Sequence, residues 1–529
     1  MRHAPRILIV LLVVVVGAAV RVIGIDHGAP RLLFHPDVPK QARTARAMYL
    51  GQFKLDAGNR DEFERTIYPY GTASVVASIA RCLAPPGEHA AEMSRRNAWF
   101  WARAMRDLAA ALALLSAAAV LLSCYPVFGA PVSAVIGLLL VLEPYNAQFS
   151  HYAMNDVPLA ALLLLGWLCA GRMVRARGAL PVWSLAAGLC LGIGFGVKYQ
   201  ALLGFLFPAA AWLLLYGRAG RLRLLGSAAA VLAGWAAGVA WTCPLLVSEP
   251  AYFLTRFPQF LHWQSHILAL DEPRFVTVRR NALWLICFFA RSGFWLMVPG
   301  TVWAAQYALR PVGDAWRRVL TGAAAMFVAA MILTLVLGRE TMRAMDLLTV
   351  FPFMTVLTGF WLGALLHGPT RGRSLFARAA LCGGGILAGV FGVNAFLDSA
   401  ALSREDTRYR ARAWCLENIP AGAVVQIEHY VLPIAKEGVT EWRYRFLADP
   451  PAAKRIFAQE PDYVIASSLV YDRFYARYQP WFNEDRQAVY AHLASQYNCA
   501  ATFRDRKLLF AHPAITVYRK PQPDPPQAP

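Results

Sequence analysis

Residues 150–171 read SHYAMNDVPLAALLLLGWLCAG, a short polar lead followed by a long apolar run with Asp156 at its lip. Asp-Val-Pro is an ordinary helix start, because Asp accepts first-turn N–H groups and Pro loses no helix bond there. An ionised carboxylate at membrane depth is costly, however, and such residues usually serve a function or sit just outside the hydrocarbon. Which reading applies depends on where the run lies and on what else reaches its lip.

The run has many companions. The 529 residues are 57% hydrophobic and 16% charged, with a mean hydropathy of +0.41. Soluble chains carry about a quarter charged residues, so the composition predicts a polytopic membrane protein. Apolar stretches long enough to span a bilayer fall near 7–25, 104–123, 130–147, 157–171, 182–197, 200–216, 224–247, 282–305, 319–338, 346–366 and 377–397, about eleven in all. The net charge of +20 sits largely in the short connectors RMVRARG, GRAGRLR, RPVGDAWRR and TRGRSLFAR. With eleven spans, all four fall on the side of the N-terminus, the positive-inside pattern of a cytoplasmic face. This accounts for the basic excess without nucleic-acid binding.

The start, MRHAPRILIVLLVVVVGAAVRVIG, is basic and then apolar with no clear cleavage site, and reads as an uncleaved first span. IYPYGTASVVASIARCLAPP (67–86) would invert every later loop if it spanned, so it is expected to be an interfacial or re-entrant helix within a first outer loop, 26–103. Residues 1–399 then form the membrane domain, with another outer loop at 248–281, and an odd span count places the tail outside. That tail reads as a small α/β domain, 400–515: a helix over SREDTRYRARAWCLEN, a Pro-Ala-Gly turn, and strands in AVVQIEHY, PDYVIASS and AITVYRK. Residues 516–529 read as a disordered end. Seven of the nine cysteines lie in or beside spans, and no CxxC suggests a metal site. Cys415 and Cys499 fit either a disulfide or two free thiols. Neither a 20–50-residue repeat nor matched broken helices in two halves is visible.

On this topology four polar sets share the outer face. FHPDVPKQARTARAMY carries His35, Asp37 and Lys40; SHYAMND carries His151, Asn155 and Asp156; GVKYQA carries Lys198 and Tyr199. The loop LHWQSHILALDEPRFVTVRR brings His262, His266, Asp271, Glu272, Arg274, Arg279 and Arg280. Singly, each has a plain alternative: Asp156 a cap, Asp37 a turn residue, Lys198 a snorkelling cation, Arg279 and Arg280 membrane anchors, the histidines structural. Those alternatives do not explain why all four sets share one face. Carboxylates opposite cations suit transfer from a phosphorylated lipid. A carboxylate takes a proton from the acceptor, while Lys198, Arg279 and Arg280 hold the phosphate. A divalent metal bridging Asp37 and Asp156 is compatible with this but not required.

HPD in the first outer loop, SHYAMNDVPLAALLLL, GVKYQA and DTRYRARAWCLENIPAGAVV together resemble the GT-C glycosyltransferases. The likeness is greatest to the protein O-mannosyltransferase-like group, glycosyltransferase family 39, related to the aminoarabinose transferases. The resemblance implies a polytopic α-helical enzyme that transfers one sugar, with inversion, from a polyprenyl-phosphate donor at the extracytoplasmic face. It maps the first-loop acid to Asp37, as base or acceptor-positioning group, and the second acid to Asp156. An arginine meeting the donor phosphate falls at Arg103 or Arg106 in FWARAMRDLAA. Asp37-Val38 stands where the mannosyltransferases usually have Asp-Glu, which leaves a protein, glycan or lipid acceptor open. The implied partners are membrane lipids, the lipid-linked donor and that acceptor, in a bacterial inner membrane. A lipid or glycan transporter and a catalytically silent scaffold are the competing readings.

Overall fold

The structure, a computed structural model, describes residues 4–29, 38–52, 70–86, 89, 92–93, 96, 98–175, 180–216, 219–265, 274–309, 314–338, 344–367, 373–475, 484–506, 508 and 511–521. His35, Asp37, His266, Asp271 and Glu272 lie outside the described residues, as do the side chain of His262 and parts of the Arg-rich connectors. The chain divides into two compact units, Met1–Ser399 and Ala400–Pro529.

Among the described residues, the regular structure of the first unit is all helical. Its helices are α1 (Ala4–Val22), α2 (Val38–Tyr49), α3 (Gly71–Leu83), α4 (Ala98–Leu142), the short α5 (Pro144–Ser150), α6 (Asp156–Arg175) and α7 (Leu180–Val197). A 3₁₀ segment (Tyr199–Phe205) leads into α8 (Leu206–Leu215), then α9 (Arg221–Thr242), α10 (Pro244–Ser248), α11 (Pro250–Ser265) and α12 (Arg274–Ser292). After a second 3₁₀ turn come α13 (Val298–Leu309), α14 (Ala315–Gly338), α15 (Phe351–His367) and α16 (Arg373–Leu402), which runs into the second unit.

Among the described residues seven helices are long and apolar enough to cross a membrane, or up to eight if the bent pair α12–α13 is one span. The count falls short of eleven for physical reasons. The 45-residue α4 enters it once, although Gly129 (φ 69°) breaks it near the gap expected between 123 and 130. Tyr199–Leu215 and Phe351–His367 each have 17 residues, fewer than the roughly 20 that a span of about 30 Å of hydrocarbon needs. One expected span needs correction: 282–305 is not a straight helix, because the chain turns by 95° between Ser292 and Phe294, at Gly293 (φ 78°). The 67–86 segment holds α3, whose 13 residues are too few to cross.

Small residues set the tightest packing, between α7 and α9. A Cβ on Gly188 would stand 2.0 Å from the Val231 carbonyl oxygen, and one on Gly192 would stand 2.2 Å from that of Trp235. From the other side, a Cβ on Gly234 would meet the Leu185 carbonyl oxygen at 2.2 Å. The two helices touch backbone to backbone, as small-xxx-small seams permit where apolar burial alone gives helices no reason to associate.

The second unit has a five-stranded sheet in the order β2-β1-β3-β5-β4. Helix α17 (Thr407–Asn418) precedes β1 (Val424–Glu428) and β2 (Thr440–Tyr444); α18 (Pro450–Gln459), β3 (Tyr463–Ser467), α19 (Ser468–Tyr475), α20 (Glu484–Gln496), β4 (Asn498–Phe503) and β5 (Ile515–Arg519) follow. β1 runs parallel to β2 and β3, and β5 is antiparallel to β3 and β4. The expected helix and the three expected strands are present as α17, β1, β3 and β5. Asp406 starts α17 by accepting the Arg408 N–H at 2.9 Å and also pairs with the Arg408 guanidinium. The described cysteines are all free, with Cys415 buried and Cys499 exposed.

Candidate active site

Residues 150–156 join the end of α5 to the start of α6. Asp156 is the first residue of α6, and Lys198 is the extended residue at which α7 gives way to the 3₁₀ turn. Lys198 Nζ donates to Asp156 Oδ1 at 2.6 Å, with the carboxylate side chain only 3% exposed and the lysine 21% exposed. The amino end of a helix favours negative charge, and a buried carboxylate needs a counter-charge; Asp156 has both. It therefore starts the helix and is half of a buried ion pair, so the two readings of its position are compatible.

The neighbouring side chains are held as firmly. Thr72, in the first turn of α3, donates its hydroxyl to Asn155 Oδ1 at 2.7 Å. Gly71 lies so close to the end of α7 that a Cβ there would stand 2.4 Å from the Gly196 carbonyl carbon. Ser74 donates to the Trp241 carbonyl oxygen at 2.8 Å, which ties α3 to α9. Tyr199 is buried, with its ring 4.9 Å from Phe195 and 4.8 Å from Phe257. Asn155, Asp156, Lys198 and Tyr199 thus form one group, with α3 laid across it.

A buried polar network supports the segment. Glu143 starts α5 by accepting the Tyr145 and Asn146 N–H groups. Arg21, fully buried near the end of α1, donates to the Gly17 and Val141 carbonyls, to Asn146 Oδ1 at 2.6 Å and to Ser150 Oγ at 3.2 Å. His151 has its two ring nitrogens each 2.9 Å from a carbonyl oxygen, of Ala147 and of Ile23. It is a clasp between this segment and the end of α1.

Of the two candidate phosphate arginines, Arg103 pairs with Asp26 and with Asp107 and remains partly exposed. Arg106 is buried, donating to the Ile25 carbonyl at 2.7 Å and the His27 carbonyl at 3.2 Å, with its guanidinium 4.5 Å from the Trp99 ring centre. Lys40 lies on α2, which packs against α3. Arg279 is exposed and Arg280 half-buried on α12, where Arg274 and Asn281 bond to the carbonyls of Leu337 and Val336. As for a divalent metal, the described part of the site offers Asp156, whose Oδ1 is already neutralised by an ammonium, and that is a poor start for a hard cation seeking several oxygens.

Sequence reasoning missed Thr72, Gly71, Arg21, Glu143 and Asp346. Arg21 and Glu143 did leave a signal: a charged residue inside each of two separate apolar runs, rare enough to mark a buried polar network. Asp346 is buried in the turn between α14 and α15. Thr72 and Gly71 left none, being common residue types in an apolar segment.

No family model matches the chain, and no curated protein does. The fold is similar to that of the Archaeoglobus fulgidus oligosaccharyltransferase in its apo form, with a TM-score of 0.51 at 12% identity over 98% of this chain and 75% of that one. The same protein in complex with Zn and sulfate gives 0.50 at 13% identity over 97% and 73%. ArnT from Cupriavidus metallidurans in the apo state gives 0.49 at 16% identity over 96% and 97%. The chain thus has a GT-C-type fold, that of a polytopic helical membrane protein with a small C-terminal α/β domain.

Proposed function

We propose that the chain is an integral-membrane glycosyltransferase that moves one sugar, with inversion, from a polyprenyl-phosphate donor to an acceptor on the extracytoplasmic face. The observation that carries this reading is the buried Asp156–Lys198 pair at the junction of α3, α6 and α7, within a fold similar to that of an oligosaccharyltransferase. The likeness to glycosyltransferase family 39 within that fold, the inner-membrane location and the outward-facing site belong to the same proposal.

The acceptor oxygen attacks the anomeric carbon from the face opposite the phosphate, and its proton passes to a carboxylate. Asp37 is the first candidate base. Asp156, whose Oδ1 is held by Lys198, is the second candidate. The bond from anomeric carbon to phosphate oxygen breaks, and polyprenyl phosphate leaves with the electron pair. Lys198 and the partly exposed Arg103 take up the charge on that oxygen; Arg279 and Arg280 are further candidates. Proton transfer of this kind contributes about 10²–10⁴-fold, and preorganised cations add to it. A transporter would place ionisable groups along the bundle, whereas Arg21, Arg106, Glu143, His151 and Asp156 gather at one end. The test is release of free polyprenyl phosphate by purified protein in lipid across a panel of polyprenyl-phosphate sugars with crude envelope acceptors. Release from one donor supports the reading, and release from none overturns it.

A further inference from the structure

Helix α2 turns one face fully inward: Val38, Gln41, Ala42, Ala45 and Tyr49 are buried, at the spacing of a core-facing stripe. Every position of that stripe except one suits a packing role. At Gln41 the stripe holds a carboxamide with no solvent exposure, and neither its Nε2 nor its Oε1 has a hydrogen-bond partner. A methionine or leucine would fill the same space without burying an unpaired donor and acceptor, a burial that costs stability.

The surroundings indicate what such an amide serves. α2 packs against α3 and against α4. On α4, the buried Trp101 lies 5.5 Å from the Tyr49 ring, and its indole N–H is also unpaired. α3 carries Thr72, whose hydroxyl holds Asn155 beside Asp156. The unpaired amide therefore belongs to the helix packed against α3, and an indole whose N–H has no partner packs against the same helix.

We infer that Gln41 reads the hydroxyl groups of the donor's glycosyl ring. A carboxamide offers a donor and an acceptor side by side, which matches two neighbouring ring hydroxyls, one accepting and one donating. It is neutral, so it reads the sugar rather than the phosphate, which falls to the cations. This inference rests on the transferase reading for its ligand.

The test compares wild type with Gln41→Met in lipid nanodiscs by thermal unfolding, with no ligand, with undecaprenyl phosphate and with a panel of undecaprenyl-phosphate sugars. Gln41→Met raises Tm without ligand, because an unpaired buried amide is gone, and it keeps the shift given by bare undecaprenyl phosphate. It loses the additional shift that a sugar-bearing donor gives the wild type, and KM for that donor rises on the order of tenfold, as for a lost pair of hydrogen bonds. Trp101→Phe serves as the milder second variant. A lower Tm without ligand, or a sugar-dependent shift retained in Gln41→Met or absent from the wild type across the panel, overturns the assignment. Sugar-dependent binding without release of polyprenyl phosphate would sink the transferase reading while leaving Gln41 as a sugar contact.

Discussion

Asp156 and Lys198 are 42 residues apart and 2.6 Å apart in space. Each was legible alone, as an acid at a helix start and a cation at a helix end, but their pairing depends on how α6 and α7 pack. The pair predicts a particular pattern of stability. Lys198→Met leaves a buried carboxylate without its counter-ion and should cost about 3–5 kcal/mol. Adding Asp156→Asn should recover much of that cost without recovering activity, a contrast that thermal unfolding of wild type and the two variants would read; equal cost in single and double variants would contradict the pairing.

In the C-terminal unit burial lowers the pKa of His512, whose Nε2 lies 2.8 Å from the Ala401 carbonyl oxygen. Because the folded state binds the proton less readily than the unfolded chain, His512 favours folding above about pH 6.5, and that contribution is lost as the pH falls below it. Unfolding of this unit should therefore occur at lower temperature at pH 5 than at pH 7.5, and His512→Gln should narrow the difference; an unchanged difference would remove His512 as its source.

At the scale of elements, the long apolar runs announced their helices, and the Pro-Ala-Gly turn announced the start of the sheet. Thr440–Tyr444 and Asn498–Phe503 escaped because they are the edge strands of the sheet, β2 and β4, largely exposed and without a buried alternation. The bend at Gly293 escaped because an apolar run looks the same whether its helix continues or turns. The close seam of α7 and α9 depends on glycines that a hydropathy scan counts only as apolar. Gly192→Leu should force the two helices apart, since even a Cβ there would stand 2.2 Å from the Trp235 carbonyl oxygen. The expected result is a loss of several kcal/mol, beyond the 1–3 kcal/mol usual for overpacking because backbone must move, together with reduced yield of folded protein in detergent. A Leu variant as stable as wild type would contradict the packing.

For the whole molecule, composition alone predicted a polytopic membrane protein, and the long apolar helices agree with it. The two-unit division matches the boundary expected at residue 399, and the fold type rests on the likeness to a solved structure. Sidedness belongs to the proposal, and native cysteines can test it. In the C-terminal unit Cys499 is exposed, while burial pushes the Cys415 thiol up to about 12 and leaves it unreactive near neutral pH. An impermeant maleimide applied to intact cells should label the C-terminal fragment through Cys499, and Cys499→Ser should abolish that label. Labelling seen only after lysis would place this unit in the cytoplasm and remove the outward-facing site.

The central claim is that the Asp156 carboxylate takes part in sugar transfer from a polyprenyl-phosphate donor. Its most direct test is release of polyprenyl phosphate from the preferred donor, measured for wild type and Asp156→Asn in the same lipid, with thermal unfolding confirming that both are folded. The account predicts a loss of at least about 10²-fold in the variant. Release at the wild-type rate by folded Asp156→Asn would contradict it and leave the Asp156–Lys198 pair as a structural clasp.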